Sequence, residues 1–224
     1  MIEWAPILLT LKLAFLTTII LFLLSIPLAA WLSRKTNIFK TIAQVFVSLP
    51  LVLPPTVIGF YLLIAFSPAN AFGKFLEQYF DTRLVFSFGG LLIGSIIYSL
   101  PFMVHPIQSG LAALPSSLHE ASYSLGKSKR QTLFKVLLPN IKPSLLTGIV
   151  LTFAHTIGEF GVVLMIGGNI PGKTKVASIA IYDEVEALNY HNANWYALIL
   201  LVLSFVILFV MYLFNRRMEQ VKYL

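Results

Sequence analysis

The chain contains no cysteine and few charged residues, and both shortages limit what it can be. Without cysteine it has neither a disulfide framework nor a thiolate metal site. Asp, Glu, Lys and Arg together make up 11% of the 224 residues, against roughly 25% in soluble globular domains. Hydrophobic residues make up 58%, and the mean hydropathy is +0.85. These values exclude an ordinary soluble domain and indicate an integral membrane protein.

Long apolar stretches recur along the whole chain. A helix crosses a bilayer in about 20 residues, and five stretches reach or approach that length: residues 7–32, 42–66, 88–109, 145–166 and 195–214. The first is too long for the apolar core of a signal peptide and has no basic start, so we expect it to be retained. With no internal repeat and no linker, the prediction is one all-α domain over residues 1–224 with about five transmembrane helices.

The basic residues are distributed unevenly among the loops. If the N-terminus is outside, the inner segments hold eleven of the 16 Lys and Arg residues and the outer loops hold four. Because basic residues collect on the cytoplasmic side, this predicts an external N-terminus and a cytoplasmic C-terminus. The inner residues are Arg34, Lys35, Lys40, Lys127, Lys129, Arg130, Lys135, Lys142, Arg216, Arg217 and Lys222, and the outer ones are Lys74, Arg83, Lys173 and Lys175.

The inner loop of residues 110–142 contains a basic amphipathic stretch. Gly126 suits the left-handed residue that ends a helix, and Pro139 is expected to close a second helix, Lys129 to Leu138. Either a soluble partner docks on this helix pair, or the pair lies in the lipid headgroup layer. Two capping-box spacings open the helices, Ser117 with Glu120 and Ser128 with Gln131, and an apolar side is predicted for Leu114, Leu118, Ala121 and Leu125.

Two motifs suggest chemistry that their surroundings exclude. Residues 167–174, GGNIPGKT, fit the P-loop pattern, but a P-loop needs a strand before it and a helix after it. A predicted span precedes this segment, so we interpret it as an external turn. His119-Glu120 begins an H-E-x-x-H zinc motif, but position 123 is tyrosine. We therefore predict no nucleotide site, no metal and no cofactor. Residues 175–188 are short and acidic, which favours an interfacial or re-entrant helix over a sixth span.

Ionisable residues inside a membrane are costly and are functional candidates. Glu159 is the acidic residue that lies deep in a predicted span, and His155 lies one turn before it, with Thr152 and Thr156 nearby. Either His155 and Glu159 contact each other to anchor helices, or they belong to a gate or pathway. A lone carboxylate facing the pore would repel an anion, so in an anion transporter Glu159 should be paired or turned aside.

Prolines interrupt the second predicted span at Pro50, Pro54 and Pro55. Each removes a helix hydrogen bond, and the freed carbonyls are tolerable where protein or a water-filled cavity satisfies them. This span, with Thr56, is therefore a candidate for lining a pathway, as is Ser99 next to Pro101 in the third span. A packing kink is the alternative interpretation.

Several stretches resemble a known family. Glu120-Ala121-Ser122, then Gly126, then Val136-Leu137-Leu138-Pro139 resembles the loop that permeases of bacterial ABC importers insert into their ATPase subunits. Ser122 and Val136 depart mildly from that pattern. Residues 49–59, 157–161, 169–174 and 179–182 are similar to permease subunits of molybdate ABC importers. A basic arginine often stands in this family where the chain has His105 and His155, which puts a fixed positive charge there in doubt.

The resemblance implies a permease subunit of the bacterial cytoplasmic membrane, not an enzyme itself. Two copies would form the pore, two ATPase subunits would grip the cytoplasmic helices, and an external binding protein would deliver molybdate or tungstate. It implies no cofactor and no nucleic-acid partner. The implied ATPase-coupling residues are Leu118, Glu120, Ala121, Ser122, Leu125, Gly126, Leu138 and Pro139, and the candidate pathway or gate residues are Pro54, Pro55, Thr56, Ser99, Thr152, His155 and Glu159.

Three other functions compete with this interpretation. A sulfate or thiosulfate ABC permease is the nearest alternative, because it shares the cytoplasmic loop. A secondary transporter that works alone would usually contain internal repeats, which the sequence lacks. A membrane-bound enzyme would need a nucleophile, a metal site or an acid-base pair, and none is evident.

Overall fold

Helices make up almost all of the backbone. The computed structural model describes residues 3–34 and 37–221, without the side chains of residues 216–221, and this part of the chain contains no strand. The prediction of an all-α protein is therefore confirmed. Of the predicted inner charges, Lys35, Lys222 and the side chains of Arg216 and Arg217 lie outside the described residues. The helical segments are α1 (Ala5–Leu32), α2 (Ile38–Val52), α3 (Pro55–Phe66), α4 (Ala71–Phe80), α5 (Phe88–Ala112), α6 (Ser116–Ser124), α7 (Lys129–Thr132), a π-helical turn (Leu133–Leu137), α8 (Leu138–Asn140), α9 (Lys142–Ile157), α10 (Gly161–Gly167), α11 (Ala177–Glu186) and α12 (Tyr190–Val221).

Three helices are long and apolar enough to cross a bilayer by themselves: α1, α5 and residues Tyr190–Asn215 of α12. They correspond to the first, third and fifth predicted spans. Helices α1, α5 and α9 pack against one another at the centre of the molecule. Helix α12 packs on α9 and α11, and only 6% of its most apolar window is buried. A helix that is apolar all round and largely unburied is suited to a lipid environment.

The second predicted span is sharply bent. Helices α2 and α3 meet at an angle of 114°, and the break lies at Leu53 and Pro54, both of which have extended backbone. A residue that precedes proline is disfavoured in the helical region, and each of these two residues precedes one. Pro50 does not break the helix, contrary to the prediction, because α2 continues through it to Val52.

The fourth predicted span is also interrupted, which the sequence did not predict. Helix α9 ends at Ile157 and α10 begins at Gly161, so Gly158, Glu159 and Phe160 lie in a break. The Ser178 hydroxyl donates to the Glu159 carbonyl at 2.6 Å. This hydrogen bond satisfies a carbonyl that a continuous helix would have satisfied, as an apolar surrounding requires.

The molecule has two chemically different ends. At one end, the last turns of α1 and α5 pack against the segment of residues 114–141. They form a single apolar cluster that includes Leu32, Leu111, Leu137, Leu138 and Ile141. At the other end, α11 and the first turns of α1 and α12 pack together, and the Tyr196 hydroxyl accepts a hydrogen bond from the Glu3 backbone at 2.9 Å. The two ends are therefore joined by α1, α5 and α9.

The contact between α3 and α10 leads to a stability prediction. A Cβ atom on Gly161 would lie 2.7 Å from Cβ of Pro55, whereas a Cβ on Gly158 would meet nothing nearer than 3.8 Å. We expect Gly161→Ala to separate the two helices and to lower the free energy of unfolding by about 1–3 kcal/mol, as overpacking usually does. The measurement is the midpoint of thermal unfolding in detergent, with Gly158→Ala as the matched control. Equal midpoints for the two variants would contradict the close contact.

Candidate functional site

The helix pair consists of α6, the turn after it and the helical segment from α7 to α8. Local hydrogen bonds fix its structure. The second capping box is confirmed: the Ser128 hydroxyl accepts from the Gln131 backbone, and the Gln131 side chain accepts from the Ser128 backbone. The first predicted capping box, Ser117 with Glu120, is wrong. Helix α6 begins at Ser116, so Ser117 lies inside its first turn without a capping hydrogen bond. Pro139 does not end the second helix either, since helical backbone continues through it to Asn140.

Gly126 has the predicted left-handed conformation, with φ of +74°. The Lys127 amide donates to the Ser122 carbonyl at 3.1 Å and the Gly126 amide donates to the Tyr123 carbonyl at 2.9 Å. These two bonds form a Schellman motif, which satisfies the last carbonyls of a helix. A Cβ atom at Gly126 would meet nothing within 4 Å, so glycine is required here for its backbone conformation alone.

The buried face of α6 differs from the predicted one. Leu114, Leu118 and Ser122, spaced four residues apart, face the protein, whereas Ala121 and Leu125 are exposed. The Ser122 hydroxyl forms a hydrogen bond of 2.8 Å with the Thr132 hydroxyl of α7. The buried serine therefore has the partner that a buried polar group needs.

Of the implied coupling residues, Leu118 and Leu138 therefore pack the helix pair against the spans, and Ser122 joins α6 to α7. Leu138 is buried in the apolar cluster at this end. The remaining five, Glu120, Ala121, Leu125, Gly126 and Pro139, form an exposed group, and Leu125 is 76% exposed.

A second group of candidate residues lies inside the molecule, between α5 and the break after α9. Glu159 is 4% exposed, and the Ser95 hydroxyl of α5 donates to its Oε2 at 2.7 Å. Its Oε1 has no hydrogen-bond partner in the described part of the chain. Glu159 is thus turned into the protein, the second of the two arrangements expected if the chain carries an anion, and its hydrogen-bond partner is a neutral hydroxyl.

His155 does not contact Glu159, contrary to one of the two predicted arrangements. Helix α9 ends between them, so they do not share a helix face. Nδ1 of His155 lies 2.9 Å from the Ser99 hydroxyl, and its ring stacks on Phe102 at a centroid distance of 4.0 Å. The Ser99 hydroxyl also lies 3.1 Å from the Thr156 hydroxyl. Each ionisable group therefore reaches a different serine of α5.

The two interrupted spans meet at their breaks. Gly161, directly after the break that contains Glu159, lies against Pro55 and the Thr56 backbone, directly after the break at Pro54. Thr152, one turn before Thr156, is buried, and its hydroxyl has no partner among the described residues. The structure thus brings together most of the candidate pathway residues, which the sequence could place only in separate spans.

Two important residues were missed from the sequence. Ser95 and Ser178 hold the side chain and the carbonyl of Glu159, yet neither was singled out. The available signal for Ser95 was its place one turn before Ser99, in the largely apolar first half of α5. Ser178 offered no signal, because its partner is distant in the sequence.

The segment that fits the P-loop pattern is a turn, as predicted. The Thr174 hydroxyl donates to the Gly167 carbonyl at 2.7 Å and accepts from the Ile170 backbone at 2.9 Å, so it closes the turn on itself. Asn169 donates to Asp183 at 2.8 Å and Lys175 forms an ion pair with Asp183 at 2.6 Å, which ties the turn to α11.

Helix α11 confirms the predicted helix in the loop of residues 167–194 and is ten residues long. The Tyr182 hydroxyl on this helix donates to the Glu186 carboxylate, and this hydrogen bond raises the pKa of Tyr182 above its ordinary value. Within the described residues, no group of three His, Asp or Glu side chains is arranged to hold a metal ion.

The fold and sequence together define the class of protein. Residues 22–220 match the family described as "Binding-protein-dependent transport system inner membrane component". The match covers most of the chain, and the chain belongs to this family. It is a multi-pass membrane component of a transport system rather than an enzyme, and the predicted resemblance to importer permeases is confirmed.

Individual relatives and structures agree with the family. The chain is 44% identical over 210 residues to the "Molybdenum transport system permease protein ModB" of Azotobacter vinelandii, covering 94% of this chain and 93% of the relative. It is 35% identical over 183 residues to the "Sulfate transport system permease protein CysT" of Salmonella typhimurium, covering 81% and 66%. A bacterial alginate ABC transporter solved with a periplasmic protein shares the fold, with a TM-score of 0.76, 20% identity and coverage of 96% and 78%.

The pairing of Ser95 with Glu159 leads to a second prediction. Ser95→Ala removes the one hydroxyl that donates to the buried carboxyl, so we expect it to lower the free energy of unfolding by about 1–3 kcal/mol. The matched control is Ser109→Ala, at an exposed position on the same helix. In a Glu159→Leu background, Ser95→Ala should cost much less, because the acceptor is gone. Independent, additive effects of the two substitutions on thermal unfolding would contradict the pairing.

Proposed function

We propose that the chain is the permease subunit of an ATP-driven importer of molybdate, with tungstate as the chemically similar second substrate. The single observation that carries the proposal is the 44% identity to a molybdenum permease over nearly the full length of both chains. The fold supports the class of importer, and the sequence of the relative supports the choice of anion.

Sulfate transport is the second candidate, and a specific observation favours it. The similarity to a sulfate permease is 35% over 81% of this chain, so the two substrate classes are separated by a modest difference in identity. Sulfate and molybdate are both tetrahedral dianions, and both would have to pass the same hydroxyl and imidazole groups between α5 and α9. We infer that the external binding protein, rather than the permease, selects the anion.

The charges at the two ends support the proposed orientation in a bacterial cytoplasmic membrane. The end with the helix pair has an excess of basic side chains, and Glu120 is the one acidic residue between positions 110 and 142. The opposite end has Glu3, Asp183, Glu184 and Glu186. By the positive-inside rule, the helix pair faces the cytoplasm, where ATP is available, and the N-terminus and α11 face outward.

The exposed group on the helix pair supports its role in coupling. Glu120 on the short helix α6 and Leu125 at its end are both exposed, and an apolar anchor together with a charged contact is suited to a groove on another protein. Leu118 and Leu138, on the protein side, connect this surface to α1 and α5. We therefore propose that the ATPase grips Glu120, Ala121 and Leu125 and that its movement reaches the spans through the buried residues.

The adjoining breaks support a site for conformational change. A helix break absorbs a change in direction at a few residues, and here two breaks touch each other. We propose that two copies of the chain form the pore and that the segments at Pro54–Thr56 and Gly158–Gly161 move during alternating access. Glu159 then serves as the anchor of one moving segment, while Ser99, Thr152 and His155 provide polar groups beside it.

The proposed substrate can be tested by reconstitution. The chain is placed in vesicles with a candidate ATPase subunit and a candidate external binding protein, and uptake of molybdate, tungstate and sulfate is measured with and without ATP. We expect ATP-dependent uptake of molybdate and tungstate. Uptake of sulfate alone would overturn the choice of substrate, and uptake without the ATPase would overturn the class of transporter.

The proposed docking surface predicts the effect of charge reversal. Glu120→Lys should abolish ATP-dependent uptake and co-purification of the ATPase while the permease remains inserted and folded, because the side chain is exposed. Gly126→Val should act similarly, since a β-branched residue resists the left-handed conformation.

Gly126→Asn is the matched control for the turn, because asparagine tolerates that conformation far better. It should retain most of the uptake. Normal transport by Glu120→Lys would count strongly against the docking surface, as would equal losses in the valine and asparagine variants.

A further inference from the structure

A small cavity lies beneath the helix pair, at the place where α1 ends. It has a volume of about 100 Å³, while a single water needs about 10–15 Å³, so it has room for a small polyatomic group. Three separate segments contribute its polar side chains: Ser33 and Arg34 follow α1, His119 and Tyr123 lie on α6, and Lys129 begins α7. The Ser33 hydroxyl donates to the Ala30 carbonyl at 3.2 Å.

The walls of the cavity are otherwise apolar or already satisfied. Ala30, Leu111, Leu133 and Leu137 form the apolar part of the lining. The Thr132 hydroxyl, which also lines it, is engaged with Ser122 at 2.8 Å. No acidic side chain lines the cavity.

The cations at the cavity have no counter-ion within the described part of the chain. The ion pairs recorded there are Arg83 with Glu77 and Lys175 with Asp183, all at the opposite end of the molecule. Arg34 and Lys129, both exposed residues, therefore bring two positive charges to this recess without a counter-ion among the described residues. An arrangement of this kind favours a bound anion, because the guanidinium group of arginine matches the oxygens of a phosphate and lysine adds a point charge.

We propose that this cavity binds a tetrahedral oxyanion of the phosphate class, held by Arg34 and Lys129 with the Tyr123 hydroxyl and the His119 ring as further hydrogen-bonding groups. The anion can come from two sources, the phosphate of an acidic membrane lipid or a free anion in solution. The proposal rests on the cavity and on the membrane location of the chain, and it does not depend on which anion the chain transports.

Occupation of the cavity has a mechanical consequence. The bound anion would join the end of α1 to both α6 and α7, in addition to the apolar contacts of the helix pair. The attachment of the proposed docking surface to the spans would then depend on the anion. A lipid source would be favoured by the position of the cavity at a span end, where basic pockets receive lipid headgroups.

The test uses the full chain purified in an uncharged detergent. In one arm, inorganic phosphate is titrated and its Kd is measured by calorimetry. In the other arm, the chain is placed in nanodiscs of phosphatidylcholine and phosphatidylglycerol, and retained lipid is identified by native mass spectrometry. We expect saturable binding in at least one arm, and the arm identifies the source. The double variant Arg34→Gln/Lys129→Gln should weaken that binding about tenfold or more, because it removes two charge-assisted contacts.

Two further variants distinguish a built site from general attraction to a basic surface. Ala30→Leu fills the cavity without changing any charge and should weaken binding as well. Arg130→Gln/Lys135→Gln removes the same charge from exposed positions outside the cavity and should leave binding unchanged. Absence of saturable binding in both arms, or equal weakening in the control double variant, would overturn the proposal.

Discussion

The structure depends on one constraint: every backbone polar group inside an apolar surrounding must have a partner. Continuous helices meet most of this requirement by themselves, except at internal prolines such as Pro27 in α1 and Pro101 and Pro106 in α5, each of which removes one helix hydrogen bond. Each interrupted span needs hydrogen-bond partners from other parts of the chain. At Glu159 the Ser178 hydroxyl donates to the backbone carbonyl and the Ser95 hydroxyl donates to the side-chain carboxyl. At Leu53 and Pro54 the chain uses prolines, which have no amide hydrogen to satisfy. The two breaks lie side by side and are stabilised in different ways.

Local patterns in the sequence predicted those features that local interactions determine. The all-α class, the positions of three spans, the second capping box and the left-handed Gly126 each depend on residues that lie within a few positions of one another. The break at Glu159 could not be predicted in this way, because Ser95 is 64 residues away and Ser178 is 19 residues away. The buried side of α6 was also assigned wrongly, because hydrophobicity ranks Ala121 above Ser122. The partner of Ser122 is on the next helix, and that contact decides which side is buried.

The sequence pattern of the helix pair combines two requirements on one short segment. Leu118 and Leu138 pack it against the spans, Ser122 joins α6 to α7, and Glu120, Ala121 and Leu125 are exposed. Under the proposed coupling role, one short segment must both hold its own fold and offer a docking face, which leaves little room for substitution. By contrast, the residues between α5 and α9 are ordinary serines, threonines and a histidine, whose arrangement becomes evident only when the helices are packed.

The π-helical turn at Leu133–Leu137 changes the helical register between α7 and the buried residues that follow it. A π turn contains about one residue more than an α turn, so the side chains before and after it are offset by about 100° from the positions that an uninterrupted α-helix would give them. That angular offset turns Leu137, Leu138 and Ile141 inward although the residues before them, at α7, follow the register set by their cap at Ser128. The extra residue thus changes the direction in which side chains face between the capped start of α7 and the apolar cluster.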